Sequence, residues 1–214
     1  MKKLLLTLLT VSYCLIASAQ SENAKQVYSN PQLEETVKTH KTVAILPFST
    51  RLSFKKPPKN FDLEANREKE KAMEKSIQSS MYTFLLRKST SYSVSFQDVD
   101  RTNILLKKAG MSDKIDEYTK DEIAKVLGVD AIISGKYEGE QTKSEGGAIV
   151  TSVLFGGLGS KTGTGALTMA INDGTSGDLL WRFFKSMNDS VFTSSDDLID
   201  RMMRKVSRNF PYNN

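Results

Sequence analysis

The chain has 214 residues, and its formal net charge is +5 at pH 7. This surplus is too small to indicate a nucleic-acid partner, because such proteins usually carry a strongly basic patch or stripe. The single cysteine excludes an intrachain disulfide, and one cysteine with one histidine cannot complete a zinc site.

Residues 1–19 have the pattern of a secretory signal peptide. Two lysines precede an apolar run over residues 4–16, and small residues at 17–19 match a signal-peptidase site. The run is shorter than the roughly 20 residues that cross a bilayer. We therefore expect cleavage after Ala19 and an exported protein that is periplasmic or associated with the outer membrane. Lipidation at Cys14 is an alternative, although the bulky Tyr13 stands where a lipoprotein signal needs a small residue.

A polar leader precedes the first predicted strand. Residues 20–41 show no sustained period, which predicts a flexible leader, and residues 42–210 are predicted to form a single α/β domain. The nearly continuous apolar run TVAILPF at 42–48 indicates a strand buried on both faces. Paired prolines and four basic residues in RLSFKKPPKNFDL, at 51–63, predict a loop or an exposed arm.

Helical periodicity follows up to residue 127. A long amphipathic helix is predicted over 64–88, and its core stripe comprises Met73, Ile77, Met81, Phe84 and Leu85. A short strand over 92–96 precedes a helix over 98–108, which Asp98 caps and Gly110 ends. The next helix, 119–127, has the capping-box spacing of Thr119 and Glu122, and Gly128 ends it.

The last third of the domain predicts a sheet and a closing helix. Strands are predicted over 129–137, 167–172 and 179–187, the last two as a hairpin around DGTSGD. A helix begins at Ser194 or Ser195, and its buried stripe is Leu198, Ile199, Met202, Met203 and Val206. This order predicts an α/β sandwich with a mixed β-sheet and helices packed on it, parallel where helices cross over and antiparallel in the final meander.

Groups that could carry catalysis or bind a cofactor are scarce. His40 lies in the predicted leader, where it could not be held rigidly beside a nucleophile. Paired acids such as Asp98 with Asp100 stand at helix starts or in loops, where capping explains them. Asp173 and Asp178 flank a turn, but they lack the graded ligand series of a calcium loop. We therefore expect no catalytic site, no cofactor and no metal.

Residues 146–160 carry no charge at all. The following GSKTG does not fit a phosphate loop, because Ser160 replaces the required glycine and a strand is predicted after Thr162. Two interpretations stay open. The segment is either an ordinary strand or mobile edge hairpin, or, near residues 141–166, a membrane hairpin that each subunit contributes to an oligomeric barrel.

Four motifs together resemble the domain shared by the curli secretion channel (CsgG), the penicillin-binding-protein activator LpoB and the N-terminal domain of TolB. They are VAILPF at 43–48, LLRKSTSYSVSFQDVDRTNILLKKAG at 85–110, LGVDAIISGKY at 127–137 and LTMAINDGTSGDLLW at 167–181. The resemblance implies an anticodon-binding-like α/β sandwich, in which Arg101 starts a short helix and Leu127, Gly128, Asp130 and Gly135 lead into a strand.

The resemblance also implies an exported, non-enzymatic cell-envelope protein that serves as a protein-binding or assembly module. The alternative is a subunit of an oligomeric outer-membrane secretion channel. Other envelope proteins are the expected partners, while homo-oligomerisation and peripheral membrane association stay open. The partner-binding candidates are Lys55, Lys56, Lys59, Ile149, Val153, Phe155, Leu158 and Trp181, with a core position as the alternative for Trp181.

Overall fold

The computed structural model describes residues 25–57, 59–141, 163–187, 195–206 and 209–214. Within these residues the strands are β1 (Lys25–Ser29), β2 (Thr42–Ile45), β3 (Ser49–Phe54), β4 (Ser95–Phe96), β5 (Ala131–Gln141), β6 (Gly163–Asp173) and β7 (Leu179–Met187). The helices are α1 (Leu33–Val37), α2 (Leu63–Arg87), α3 (Val99–Lys108), α4 (Lys120–Leu127) and α5 (Ser195–Val206).

The seven described strands form one mixed sheet. Its order is β1-β7-β6-β5-β2-β4, and β3 also pairs with β5. Strands β2 and β4, β2 and β5, and β3 and β5 are parallel, whereas β5, β6 and β7 form an antiparallel meander. This arrangement confirms the predicted α/β class, including parallel pairing where helices cross over and antiparallel pairing in the meander.

Strands β2 and β3 share one edge of the long strand β5. The register pairs residues 43–45 with 131–133, and residues 49–54 with 136–141. At the junction, the buried ring of Phe48 lies over Gly135, where an added Cβ would be 2.0 Å from Phe48 Cε1. Gly135 therefore leaves the space that the Phe48 ring occupies.

The larger part of the core lies on one face of the sheet. Helices α2 and α5 bury their apolar stripes there, and the alternation of the strands directs every second side chain toward them. The fully buried residues of this layer include Val43, Ile45, Ile77, Met81, Leu85, Ile133, Leu167, Met169, Phe183, Leu198 and Met203. The predicted stripes of both helices are thus core residues, apart from the half-buried Met73.

A smaller core lies on the opposite face. Ala44 and Ile132 meet Leu106 of α3 and Ile123 of α4 there. Helices α3 and α4 begin as the sequence predicts, because Asp98 Oδ1 accepts a hydrogen bond from Arg101 N and Glu122 Oε2 accepts one from Thr119 N. Helix α4 ends at Gly128 with a φ of 66°, a left-handed conformation that favours glycine.

The N-terminal segment differs from the predicted flexible leader. From Lys25 onward it forms β1, which pairs antiparallel with β7 at the edge of the sheet, and the short helix α1. His40 is 5% exposed. A five-residue edge strand has too little periodicity to be recognised locally, and its pairing partner lies more than 150 residues away.

Two other segments also differ from expectation. The predicted loop at 51–63 begins as strand β3, which continues to Phe54 beside β5. Strand β4 comprises only Ser95 and Phe96, because Tyr92 instead forms an isolated bridge with Asn213. Among the described helices, none combines the length and the apolar character that a membrane span needs.

Candidate partner-binding surface

In the described part of the chain, no helix lies over the outer part of the sheet's second face. On β6 and β7, Leu167, Met169 and Phe183 are fully buried by the larger core, whereas Thr168 and Ala170 on the opposite face are only half-buried. Helices α3 and α4 contact β2, β5 and β6 but leave the outer part of this face uncovered. The uncovered side chains of Ser134, Lys136, Thr168, Ala170 and Arg182 form the floor of a groove.

Helices α2 and α3 form the walls of this groove, which encloses about 1350 Å³ and which we call the open groove. Helix α2 contributes Lys71, Glu74 and Lys75, and α3 contributes Ile104 and Lys107. The side chain of Ile104 is 52% exposed, which is unusual for a residue of its type.

A pair of amides fixes the spacing of the two walls. Gln78 of α2 donates through Nε2 to the carbonyl of Ile45 over 2.7 Å, at a point where β4 no longer covers the edge of β2. The amides of Gln78 and Asn103 also bond reciprocally, at 2.9 Å and 3.2 Å. Because Gln78 is fully buried, its bond to the Ile45 carbonyl is shielded from water, and the half-buried Asn103 connects α3 to the same amide.

The open groove has a positive balance of charge. Six cations and four carboxylates line it, and one of the cations, Lys136, pairs with Glu138 at 2.7 Å. Neither Lys107 nor Arg182 forms an ion pair with a residue in the described part of the chain. Among the described residues these two cations have no carboxylate partner, so they could pair with an acidic ligand.

Their surroundings shift the pKa values of two groups that line the open groove, Glu74 and Lys120. Burial raises the pKa of Glu74, against the opposing effect of the hydrogen bond that its Oε1 accepts from Thr50 N. Burial also lowers the pKa of Lys120, and the negative charge of Asp116 partly offsets this effect. Glu74 thus bonds to β3 while it lines the wall.

The predicted basic candidates Lys55, Lys56 and Lys59 are exposed on the loop between β3 and α2. The rings of Phe54 and Phe61 meet edge to face at 5.3 Å and hold the base of this loop. The structure does not bring these lysines into the lining of the open groove.

The outer edge of β3 is bonded by α2. Leu52 N donates to Glu70 Oε1 over 2.7 Å, and the side-chain amide of Asn66 donates to the Leu52 carbonyl. Thr50 N donates to Glu74. These bonds occupy the Thr50 amide and both backbone groups of Leu52, which a partner's strand would otherwise use.

The remaining candidates lie elsewhere. Ile149, Val153, Phe155 and Leu158 lie outside the described residues. Trp181 is 1% exposed and stacks on Phe183 in the core, so the core alternative holds and this side chain presents no surface. No sequence pattern indicates the open groove, because its floor and walls come from separate elements that only the fold brings together.

His40 belongs to a buried array that sequence reasoning missed. Its Nδ1 lies 2.8 Å from the hydroxyl of Tyr212, and its Nε2 lies 3.0 Å from Asp173 Oδ1. With a neutral imidazole, Tyr212 donates to Nδ1 and Nε2 donates to the carboxylate, so each polar atom is satisfied. The array joins the N-terminal segment, the end of β6 and the C-terminal residues.

The same surroundings shift the pKa values of the array's acid and phenol. Burial alone would raise the pKa of Asp173, but hydrogen bonds from Ser176, His40 and Thr175 hold it below its ordinary value. Burial, reinforced by the negative charges of Asp173 and Asp130, raises the pKa of Tyr212. Because His40 is 5% exposed and Tyr212 is fully buried, the array holds segments together and presents no reactive atom at the surface. Within the described residues, no group of three metal-ligating side chains converges.

Comparison with known proteins finds neither a matching family model nor a matching curated protein. Solved structures do match. Lipoprotein GNA1162 from Neisseria meningitidis has a TM-score of 0.44 and 13% identity over 78% of this chain and 94% of its own. The PelC dodecamer from Paraburkholderia phytofirmans has a TM-score of 0.43 and 11% identity over 90% and 99%.

The LpoB C-terminal domain from Escherichia coli is also similar, with a TM-score of 0.36 and 10% identity over 74% of this chain and 93% of its own. LpoB is one of the three proteins whose shared domain the sequence motifs resemble. At TM-scores below 0.5, these likenesses do not establish a family or a function for the chain.

Proposed function

We propose that the chain is an exported cell-envelope protein that binds other proteins and serves in their assembly, without catalysing a reaction. The open groove is the observation that carries the proposal. Its volume of about 1350 Å³ exceeds the roughly 300–1,000 Å³ of most small-molecule sites, and it is open along the sheet. A surface of this size and polarity suits contact with a macromolecule. The signal-peptide pattern at 1–19 supports export.

The buried array supports a role without catalysis. A histidine that acts as a general base must reach the proton it removes, within about 3 Å. His40 and Tyr212 meet each other inside the fold, so a substrate would have to open the domain to reach them. The array is therefore better explained as a connection between segments.

Cross-linking of intact cells tests the proposal. We expect the native, tag-free chain, treated with an amine-reactive cross-linker, to yield a discrete adduct with another envelope protein. We also expect an alkaline carbonate wash to release the mature chain from the membrane pellet. A chain that cross-links to nothing but itself would contradict the proposed function.

The same wash tests the channel alternative, which depends on residues 141–166. A chain that stays in the pellet would favour an inserted hairpin or a lipid anchor. A Cys14→Ala variant separates these two outcomes, because only a lipid anchor would be lost with the cysteine.

A further inference from the structure

The floor of the open groove is low at its centre because three of its five side chains, those of Ser134, Thr168 and Ala170, are small. The register pairs Ser134 with Ala170 and Lys136 with Thr168. Ser134 and Ala170 therefore lie in one row across β5 and β6, and Thr168 lies in the next row on the same face. Sheets in α/β sandwiches usually bury such a face under a helix. Small side chains would let a helix backbone approach this sheet closely.

Apolar groups lie at both sides of this floor. Ile104 is 52% exposed on the wall formed by α3, and Tyr28 of β1 is 47% exposed. Tyr28 pairs with Arg182 of β7, and Arg182 pairs with Ala170, so Tyr28 lies on the same face of the sheet as the floor. An apolar stripe lying on the floor would meet these two side chains at its margins.

The cations of the groove complement negative charge. Arg182 stands on the floor and Lys107 on the wall, and neither has an ion pair with a residue that the structure describes. Lys71 and Lys75 flank Glu74 on the other wall, and this carboxylate already accepts a bond from Thr50. An acidic ligand would therefore find cations on both sides.

We propose that the open groove binds an acidic amphipathic helix of a partner envelope protein. The inference rests on the proposed function and names the chemistry of the partner. The apolar stripe of the helix would lie on Thr168 and Ala170, and its carboxylates would pair with Arg182 and Lys107. Charge complementarity of this kind sets the choice of partner and the association rate.

Site-specific photo-cross-linking tests this inference. Benzoylphenylalanine replaces Ile104, the large exposed residue at the margin of the groove, in the full chain, so that the small floor side chains stay intact. Irradiated cells are lysed, and the cross-linked peptide is sequenced by mass spectrometry. The expected product is a peptide from another envelope protein, with acidic residues beside an apolar stripe of helical period. The same photoreactive residue at the exposed Glu35 of α1, outside the groove lining, should not capture that peptide.

Charge reversal gives the second readout. The pair Lys107→Glu and Arg182→Glu should lower the yield of the Ile104 adduct about tenfold. The control pair Lys125→Glu and Lys38→Glu changes the net charge by the same amount. Lys125, like Lys107, lies in the last turn of its helix, and this pair should leave the adduct yield unchanged. If the charge-reversed pair unfolds, the pair Lys107→Gln and Arg182→Gln takes its place. An unchanged urea midpoint of this second pair shows that a lower adduct yield comes from the lost charges and not from unfolding.

Several outcomes would overturn the inference. These are no adduct at Ile104, a peptide from a second copy of the chain, a lipid adduct, a basic peptide, or equal losses in both charge-reversed pairs. If the amine cross-linker still joins the chain to another envelope protein, the proposed function stands and only the position or chemistry of the docking site is wrong. If neither method captures a partner, both proposals fail.

Discussion

Gly135 shows how a single missing side chain allows two strands to share an edge. Pairing with β5 stops after Ile45 of β2 and resumes in the same direction at Ser49 of β3, and Phe48 lies in this interruption. The ring lies where a Cβ of residue 135 would be, and it is fully buried, so it cannot move aside into water. The requirement for glycine therefore comes from close packing rather than from a turn.

We expect Gly135→Ala to destabilise the fold by about 1–3 kcal/mol, as overpacking in cores generally does. Urea denaturation of the full chain measures the loss. In a Phe48→Leu background the smaller side chain should reduce the loss from Gly135→Ala to below about 1 kcal/mol. Equal losses in both backgrounds would show that Phe48 is not the cause.

At the scale of elements, local patterns decided what could be predicted. Helices α2 to α5 were predictable because their apolar stripes and their caps at Asp98 and Thr119 lie within a few residues of one another. Strands β1 and β3 were missed, because each is an edge strand whose stability depends on a distant partner. His40 was misplaced for the same reason, since Asp173 and Tyr212 are far from it in sequence.

The buried array makes a prediction about the attachment of the N-terminal segment. Tyr212→Phe removes the hydroxyl that donates to His40 Nδ1 and leaves this buried nitrogen without its partner. We expect a loss of about 1–3 kcal/mol in the free energy of unfolding. Hydrogen exchange should also become faster at Lys41 and Thr42, whose amides bond to the Asp130 carboxylate beside the array.

Tyr92→Phe is the matched control. Tyr92 is also buried, and its hydroxyl bonds to no residue in the described ranges. We expect this change to stay within about 0.5 kcal/mol of the parent chain. If the two substitutions cost the same, the hydrogen bond of Tyr212 does not stabilise the attachment.

At the scale of the whole molecule, the raised pKa values of buried phenols predict a loss of stability at alkaline pH. Burial raises the pKa of Tyr137 to about 12, and burial together with nearby negative charge raises that of Tyr212. In the unfolded chain both phenols lose their protons near pH 10. The stability that they contribute is therefore fully present below about pH 10 and is lost as the pH rises through the folded pKa.

We expect the free energy of unfolding to fall by about 2–3 kcal/mol between pH 10 and 12 through Tyr137 alone. Denaturation curves at a series of pH values measure this fall. Tyr137→Phe should make the decline shallower, whatever it does to stability at neutral pH. A decline of unchanged steepness in Tyr137→Phe would assign the alkaline loss to other groups.

Of the two candidate partner-binding surfaces, the loop lysines belong to one segment of the chain, whereas the open groove depends on the whole fold. The exposed lysines of the loop between β3 and α2 could be recognised from the prolines and positive charges in that loop. The open groove could not, because α2, α3, β5, β6 and β7 each contribute only a few of its residues. Its small floor residues are unremarkable in sequence and gain meaning only from the absence of a covering helix in the described chain.

The position of β1 has a consequence for the timing of folding. During synthesis the N-terminus emerges first, yet β1 pairs with β7, and His40 pairs with Asp173 and Tyr212. The residues of the domain that are synthesised first therefore cannot form these pairs until nearly the whole chain has been made. Closing contacts of such long sequence separation is intrinsically slow. If the chain is exported, as we propose, a transporter that threads unfolded polypeptide would receive one whose final contacts cannot yet form.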